Sequence, residues 1–222
     1  MRRRDRDPEA RYRLPRRRLV ERLQEQGVRD RRVLAAIGGV ARHQLVPEAM
    51  WDQAYRDGPL PIGEGQTISA PGIVAAMSEA LELAGAETVL EIGTGSGYQA
   101  AVLSQLAARV VSVERIPLLA ARARSALDAL GLTNVVVHLG DGSRGRPQEA
   151  PFEAVLVTAG APEIPPPLIE QLAPGGRLVA PVGDRAGQEL LRLRRLESGE
   201  ILRESLGRCR FVDLVGEHGW AA

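Results

Sequence analysis

The chain has 222 residues, 44% of them hydrophobic and 26% charged, ordinary values for a globular protein large enough to bury a core without staples. Its 29 basic and 28 acidic residues leave a net charge of +1, so the molecule as a whole has no electrostatic bias. A single cysteine, Cys209, excludes an intrachain disulfide and a cysteine metal cluster, and no apolar run reaches the roughly 18 residues that would span a bilayer.

Every cation is an arginine, and Arg2, Arg3, Arg4, Arg16, Arg17 and Arg18 crowd the start. No apolar stretch follows this basic segment, so it does not read as a secretory signal, and a cytoplasmic protein is expected. Residues 1–13 are charged and poor in apolar groups, which predicts a disordered tail. From Arg16 onward Leu19, Val20, Leu23, Val33, Leu34 and Ile37 recur at helical spacing, with Gly27 dividing two helices and Gly38-Gly39 ending the second. Residues 57–72 are rich in Gly and Pro without periodicity, and an irregular segment of that length is more often functional than idle.

A regular alternation follows. Thr88–Ile92 reads as a buried strand, then glycines and a helix over Tyr98–Ala107. Val110–Val113 is a second strand, and Pro117 opens a helix with Leu119, Ala123 and Leu127 on one face, closed by Gly131. Val135–Val137, Ala154–Thr158 and Arg177–Pro181 are further strands, with a helix around Leu168–Leu172. Strands alternating with helices predict a parallel sheet with right-handed crossovers. Glu189–Leu196 and Ile201–Val215, separated by a turn at Ser198-Gly199, predict an antiparallel edge.

The first strand runs into Glu91-Ile92-Gly93-Thr94-Gly95-Ser96-Gly97. Glycines there let the backbone turn tightly and let a ligand lie against bare peptide. A dinucleotide would prefer G-x-G-x-x-G, whereas Tyr98 stands where its third glycine belongs. Glu91, two residues before Gly93, would repel a pyrophosphate and attract a cation such as a methionine ammonium or a sulfonium, which favours S-adenosylmethionine over NAD. Glu114 ends the second strand about 20 residues on, where a carboxylate can accept from both hydroxyls of a ribose. Asp141, in Gly140-Asp141-Gly142, could accept from an adenine amino group, with Gly142 permitting close approach. Ligands of open α/β sheets bind at this carboxyl edge.

The run from Pro59 to Ser69, containing Gln66-Thr67-Ile68-Ser69, resembles the signature loop of protein-L-isoaspartate O-methyltransferases. The likeness continues in Val89–Tyr98, Gly140–Gly142, Val157-Thr158-Ala159, Pro162-Glu163, Gly175–Val179 and Phe211–Glu217, in order over about residues 43–217. The resemblance implies a Rossmann-like α/β fold: a mostly parallel, doubly wound sheet with an antiparallel C-terminal edge and an N-terminal helical extension. One methyltransferase domain is expected over 14–222, divided into helices at 14–50, the loop at 57–72, a donor core at 86–182 and strands at 188–217. It also implies methyl transfer from S-adenosylmethionine to the free carboxylate of L-isoaspartyl residues in damaged proteins and peptides, with S-adenosylhomocysteine as the other product. By position, Ser69 matches the active-site serine. Gln66, Thr67, Ile68, Ser69, Glu91, Gly93, Gly95, Gly97, Glu114, Asp141 and Gly142 fall on the donor side, and Thr67, Ser69 and Val74 on the substrate side. A monomer is expected, with neither metal, membrane nor nucleic acid as partner.

The chemistry agrees with these residue types. A carboxyl group with a reference pKa near 3.9 is already ionised at neutral pH, and a thioether leaves as a neutral molecule, so neither general base nor general acid is required. His43, His138 and His218 accordingly read as structural or exposed, and Cys209 as core. Met50, Trp51 and Tyr55 read as a satellite hydrophobic cluster, the alternative being the border of the peptide site. Three positions depart from the family pattern: Gly72 in place of an aromatic or histidine, Asp213 in place of a proline, and Gly160 within an alanine run. Rival readings are a methyltransferase of RNA or of a small molecule, a nucleotide-dependent oxidoreductase, and a nucleic-acid-binding module using the arginine tail.

Overall fold

A computed structural model describes residues 9–221. The expected tail gives way to helix at Ala10, where α1 (Ala10–Glu25) begins, so only residues 1–8 of it lie outside the described residues. Gly27, at φ 106°, turns the chain from α1 towards α2 (Arg31–Gly39), whose first turn is capped by the Asp30 carboxylate accepting from Arg32 and Val33 N–H. Leu19, Leu23, Val33, Leu34 and Ile37 point inward from the two helices, the face that the helical spacing predicts.

The 57–72 segment is less irregular than its composition suggests. Leu60–Gly63 (β1) and Gln66–Ile68 (β2) pair as an antiparallel hairpin, with Gly63, Glu64 and Gly65 at positive φ around its turn. Pro71–Ala80 forms α3, opened by Pro71 in its first turn. The Asp57 carboxylate accepts from Gly72 N–H at 2.7 Å, and a Cβ on Gly72 would sit 2.9 Å from it. Gly72 thus leaves room for the acid that ties the hairpin's approach to the start of α3.

The central sheet then assembles from β3 (Thr88–Ile92), β4 (Arg109–Glu114), β5 (Val135–Leu139), β6 (Phe152–Val157), β7 (Leu172–Gly183), β8 (Gln188–Arg195) and β9 (Ile201–Cys209), in the order β5-β4-β3-β6-β7-β8-β9. Strands β3 to β7 run parallel, and β8 and β9 add antiparallel. Between them lie α4 (Tyr98–Leu103), α5 (Pro117–Ala129) and α6 (Pro166–Glu170). Strand alternation separates two cores: Val89, Leu156 and Val179 face α1 to α5, while Leu90, Val155 and Leu178 face Leu168 and Leu214. The predicted last strand stops at Cys209, and residues 210–217 run as an irregular segment held by single bridges at Asp213 and Val215. The reason is that Gly160 exchanges backbone bonds with Val212 and Leu214, drawing the chain off the sheet edge and across the ends of the strands. A Cβ at Gly160 would sit 2.9 Å from Gln188, so the glycine permits this crossing. Among the described residues no helix is long and apolar enough to cross a membrane.

Strand order reverses beside β3, with β4 and β5 on one side and β6 on the other. The carboxyl ends of open α/β sheets form a crevice at such a switch.

Candidate active site

A cleft of about 760 Å³ opens at that switch point. The hairpin supplies Gln66, Thr67, Ile68 and Ser69, and α3 supplies Val74. The glycine turn after β3 supplies Gly93, Thr94, Gly95 and Ser96, the end of β4 supplies Glu114, and Gly142, Thr158 and residues 212–215 complete the rim. Sequence-distant segments therefore converge on one cleft.

Each wall has a physical cause. Gly93 has φ 96°, and a Cβ there would lie 2.5 Å from Thr158 Oγ1, so a side chain is excluded twice over. The Thr158 hydroxyl donates towards the carbonyls of Gly93 at 2.7 Å and Ile92 at 2.9 Å, fastening the turn to the end of β6. Gly142 packs directly against the apolar wall, since a Cβ there would meet Ile92 at 2.4 Å. The Glu114 carboxylate is 5% exposed yet lines the cleft. Its Oε2 accepts from Gly95 N–H at 2.8 Å and its Oε1 from Ile116 N–H at 2.9 Å, which holds both oxygens in place and leaves each a lone pair for a ligand. Ile92, Val113, Ile116 and Leu119 give the cleft an apolar side suited to the flat face of a base.

Three residues expected on the donor side lie elsewhere. Glu91 is fully buried beneath the turn, on the strand face opposite to Ile92, and is not part of the cleft wall. Its neighbour in register is Ser112 of β4, whose hydroxyl donates to Glu91 Oε2 and bonds Thr94 in turn. Burial, above all, pushes the Glu91 carboxyl up to about 8, and the nearby Glu114 adds to the rise. Glu91 thus reaches Thr94 through Ser112 and braces the loop from behind the wall, whereas the sequence reading placed it against the donor. Asp141 is likewise bonded to the protein itself. Its Oδ1 accepts from the N–H and hydroxyl of Ser143, its Oδ2 accepts from Glu217 N–H, and those bonds, after the opposing effect of burial, hold its pKa below the usual value. The adenine contact expected of Asp141 is thereby reduced to the one lone pair left on Oδ2, while Gly142 lines the cleft. Gly97 at φ 86° starts α4 behind the wall.

Glu91→Gln tests this assignment. An acid whose folded pKa is raised stabilises the fold fully below its unfolded value near 4.5, and that stabilisation is lost as pH rises towards about 8. Thermal midpoints of the Gln variant, measured against wild type, should therefore rise between pH 5 and pH 8. A constant difference across that range would place an ionised group at this position.

The residue that reading the sequence missed is Arg42. It is fully buried, and its guanidinium donates to the carbonyls of Ala54 at 2.8 Å, Ser69 at 2.9 Å and Gly58 at 3.1 Å while lying 4.6 Å over the Tyr98 ring. Arg42 joins both ends of the segment that carries Thr67 and Ser69 to the first turn of α4. Nothing local signals this, because Ala41-Arg42-His43-Gln44 reads as an exposed polar stretch. His43 does prove structural, stacked on Tyr12 and bonded through Nδ1 to the Tyr55 hydroxyl at 2.8 Å, and Tyr55, Trp51 and Met50 pack with the helical core.

A second groove, of about 1250 Å³, meets the cleft at Thr67, Ser69, Thr158, Val212 and Asp213, and extends along Pro59, Ala70, Ile73, Arg185, Arg208 and Arg210. The two openings share the hydroxyl residues Thr67, Ser69 and Thr158, so ligands lying in them would meet there.

The family model for protein-L-isoaspartate(D-aspartate) O-methyltransferases matches residues 15–219. A protein-L-isoaspartate O-methyltransferase of Geobacter metallireducens is 57% identical over 208 residues, covering 93% of this chain and 96% of its own. One from Methanoculleus marisnigri is 55% identical over 198 residues, covering 89% and 90% respectively. Among solved structures, a protein-L-isoaspartate O-methyltransferase superposes with TM-score 0.82 at 29% identity, over 92% of this chain and 67% of that one. The beta-aspartate methyltransferase of Plasmodium falciparum, solved in complex with S-adenosyl-L-homocysteine, shares the fold with TM-score 0.78 at 24% identity, over 89% of this chain and 97% of that one. With a match across nearly its whole length and a switch-point cleft walled by the signature loop, the chain belongs to the protein-L-isoaspartate (D-aspartate) O-methyltransferase family.

Proposed function

We propose that the chain is a protein repair enzyme that transfers the methyl group of S-adenosylmethionine to the free carboxylate of L-isoaspartyl residues in damaged proteins and peptides. The observation that carries this reading is the junction of the two openings at Thr67 and Ser69, on the loop shared with the family. The donor set fits the nucleoside: the Glu114 oxygens suit ribose hydroxyls, the Ile116 and Leu119 side suits adenine, and Gly93 and Gly142 admit close approach to backbone. S-adenosylmethionine brings a methyl group activated by positively charged sulfur. When bound, it would supply that methyl group to the acceptor carboxylate oxygen, giving an ester, and would leave as a neutral thioether.

What the chain contributes is alignment and exclusion of water. Ser69 and Thr67 offer hydroxyls that hold a carboxylate without neutralising it, and Arg42 fixes the Ser69 carbonyl so that the hydroxyl is presented from a rigid turn. We take residues 14–222 as one catalytic unit, supported by a core in which Leu19 and Leu23 pack with Val89 and Val110, and we place the enzyme in the cytoplasm as a monomer.

Labelling of an isoaspartyl peptide and its ordinary aspartyl twin tests the activity. Methyl transfer to the first alone is expected, and equal or absent transfer would overturn the assignment. Ser69→Ala should slow turnover about 10- to 100-fold, the scale of one or two lost orienting hydrogen bonds, and leave S-adenosylhomocysteine affinity within about twofold. A large loss of affinity in calorimetry would put that hydroxyl on the donor.

A further inference from the structure

The acceptor groove carries more charge than methyl transfer to a single carboxylate requires. Arg185, Arg208 and Arg210 line it, against Asp213 as the one acidic residue in its wall among the described residues. Asp213 accepts from Arg185 Nε at 2.7 Å, and Arg185 also lies 4.8 Å over the Trp220 ring, so this pair is anchored to the crossing segment. Here the departure from the family pattern acquires a role: the acid in place of a proline fixes one arginine at the rim.

Arg208 and Arg210 are exposed, and among the described residues neither has an ion-pair partner. Other acids nearby are engaged elsewhere. Glu189, opposite Arg208 in register, accepts from the Ser205 hydroxyl, Glu204 pairs with Arg192, and Asp184 accepts from the N–H groups of Ala186 and Gly187. A concave surface that holds two guanidinium groups with no direct ion-pair partner among the described residues favours anionic residues on whatever lies along it.

We propose that Arg208 and Arg210 make this groove selective for isoaspartyl sites flanked by acidic residues. The proposal rests on the reading that the groove receives an isoaspartyl peptide. An acidic side chain next to the damaged residue meets guanidinium on the groove wall while the isoaspartyl carboxylate reaches Thr67 and Ser69 at its inner end. Arg185, already paired with Asp213, shapes the rim.

Two isoaspartyl peptides that differ only in having Glu or Gln at the flanking positions test it. Two exposed ion pairs together are worth about 2- to 30-fold, so kcat/KM at low ionic strength should favour the Glu-flanked peptide several-fold. The ratio should approach unity near 1 M salt, where screening acts within about 3 Å. In the double variant Arg208→Gln, Arg210→Gln it should fall below about twofold, with a melting temperature close to wild type certifying the fold. Equal kcat/KM for the two peptides in the wild-type enzyme, or a preference that survives in the double variant, would overturn the proposal. Failure to methylate either peptide would instead overturn the functional reading on which it rests.

Discussion

Replacing Arg42 by Met is expected to destabilise the fold by about 3–5 kcal/mol, the scale of leaving three carbonyls without their donor at about 1–3 kcal/mol each. For a chain of this size that is a fall in melting temperature of roughly 10 °C. The variant leaves the carbonyls of Ala54, Gly58 and Ser69 without their buried donor. Arg42→Lys should recover only part of the loss, because a point-like ammonium cannot span three carbonyls that a planar guanidinium reaches together. Since Ser69 is one end of the bracket, kcat in both variants should fall more than stability alone explains at a temperature where they remain folded. A melting temperature near wild type for Arg42→Met would show that the segment from Ala54 to Ser69 holds itself.

The second large effect concerns Glu114. Glu114→Ala should weaken S-adenosylhomocysteine binding about 100- to 10,000-fold, two hydrogen bonds to a charged group being worth about 1.5–3 kcal/mol each. The substitution also frees the N–H groups of Gly95 and Ile116, which loosens the turn as well as removing the ligand's partner. Glu114→Gln keeps one acceptor oxygen and should fall between the two. Isothermal titration separates these outcomes from Glu91→Gln, which should bind nearly as wild type because its carboxyl lies buried behind the wall. Affinities ranked the other way round, with Glu91 dominant, would reverse the roles assigned to the two acids.

These contrasts also mark what the amino-acid order makes legible. Strands β3, β4, β6 and β7 can be read from their apolar runs because each lies covered on both faces of a parallel sheet, and Pro117 and Gly131 mark where α5 starts and stops. The hairpin of β1 and β2 is hidden because its strands are very short and its turn is built from Gly and Glu residues that also suit an unstructured loop. At the site, Gly93, Gly95, Gly142 and Glu114 are visible because position at a strand end fixes what they face. Glu91 misleads for the same kind of reason: two residues before Gly93 its side chain points to the opposite face from Ile92, into the helical layer, where burial and Ser112 replace a ligand. Asp141 misleads because its partners, Ser143 apart, come from the far end of the chain. Arg42 is invisible until the fold brings Ala54, Gly58 and Ser69 around it. Local pattern carries the elements and the strand-end residues; bonds between distant segments decide which polar groups are left for a ligand.

A crystal structure grown with S-adenosylhomocysteine and an isoaspartyl peptide tests the account most directly. It should show the ribose hydroxyls on the Glu114 oxygens and the peptide's free carboxylate beside the Ser69 hydroxyl, where the two openings join. A nucleoside held away from Glu114, or a peptide carboxylate bound far from Ser69, would contradict it.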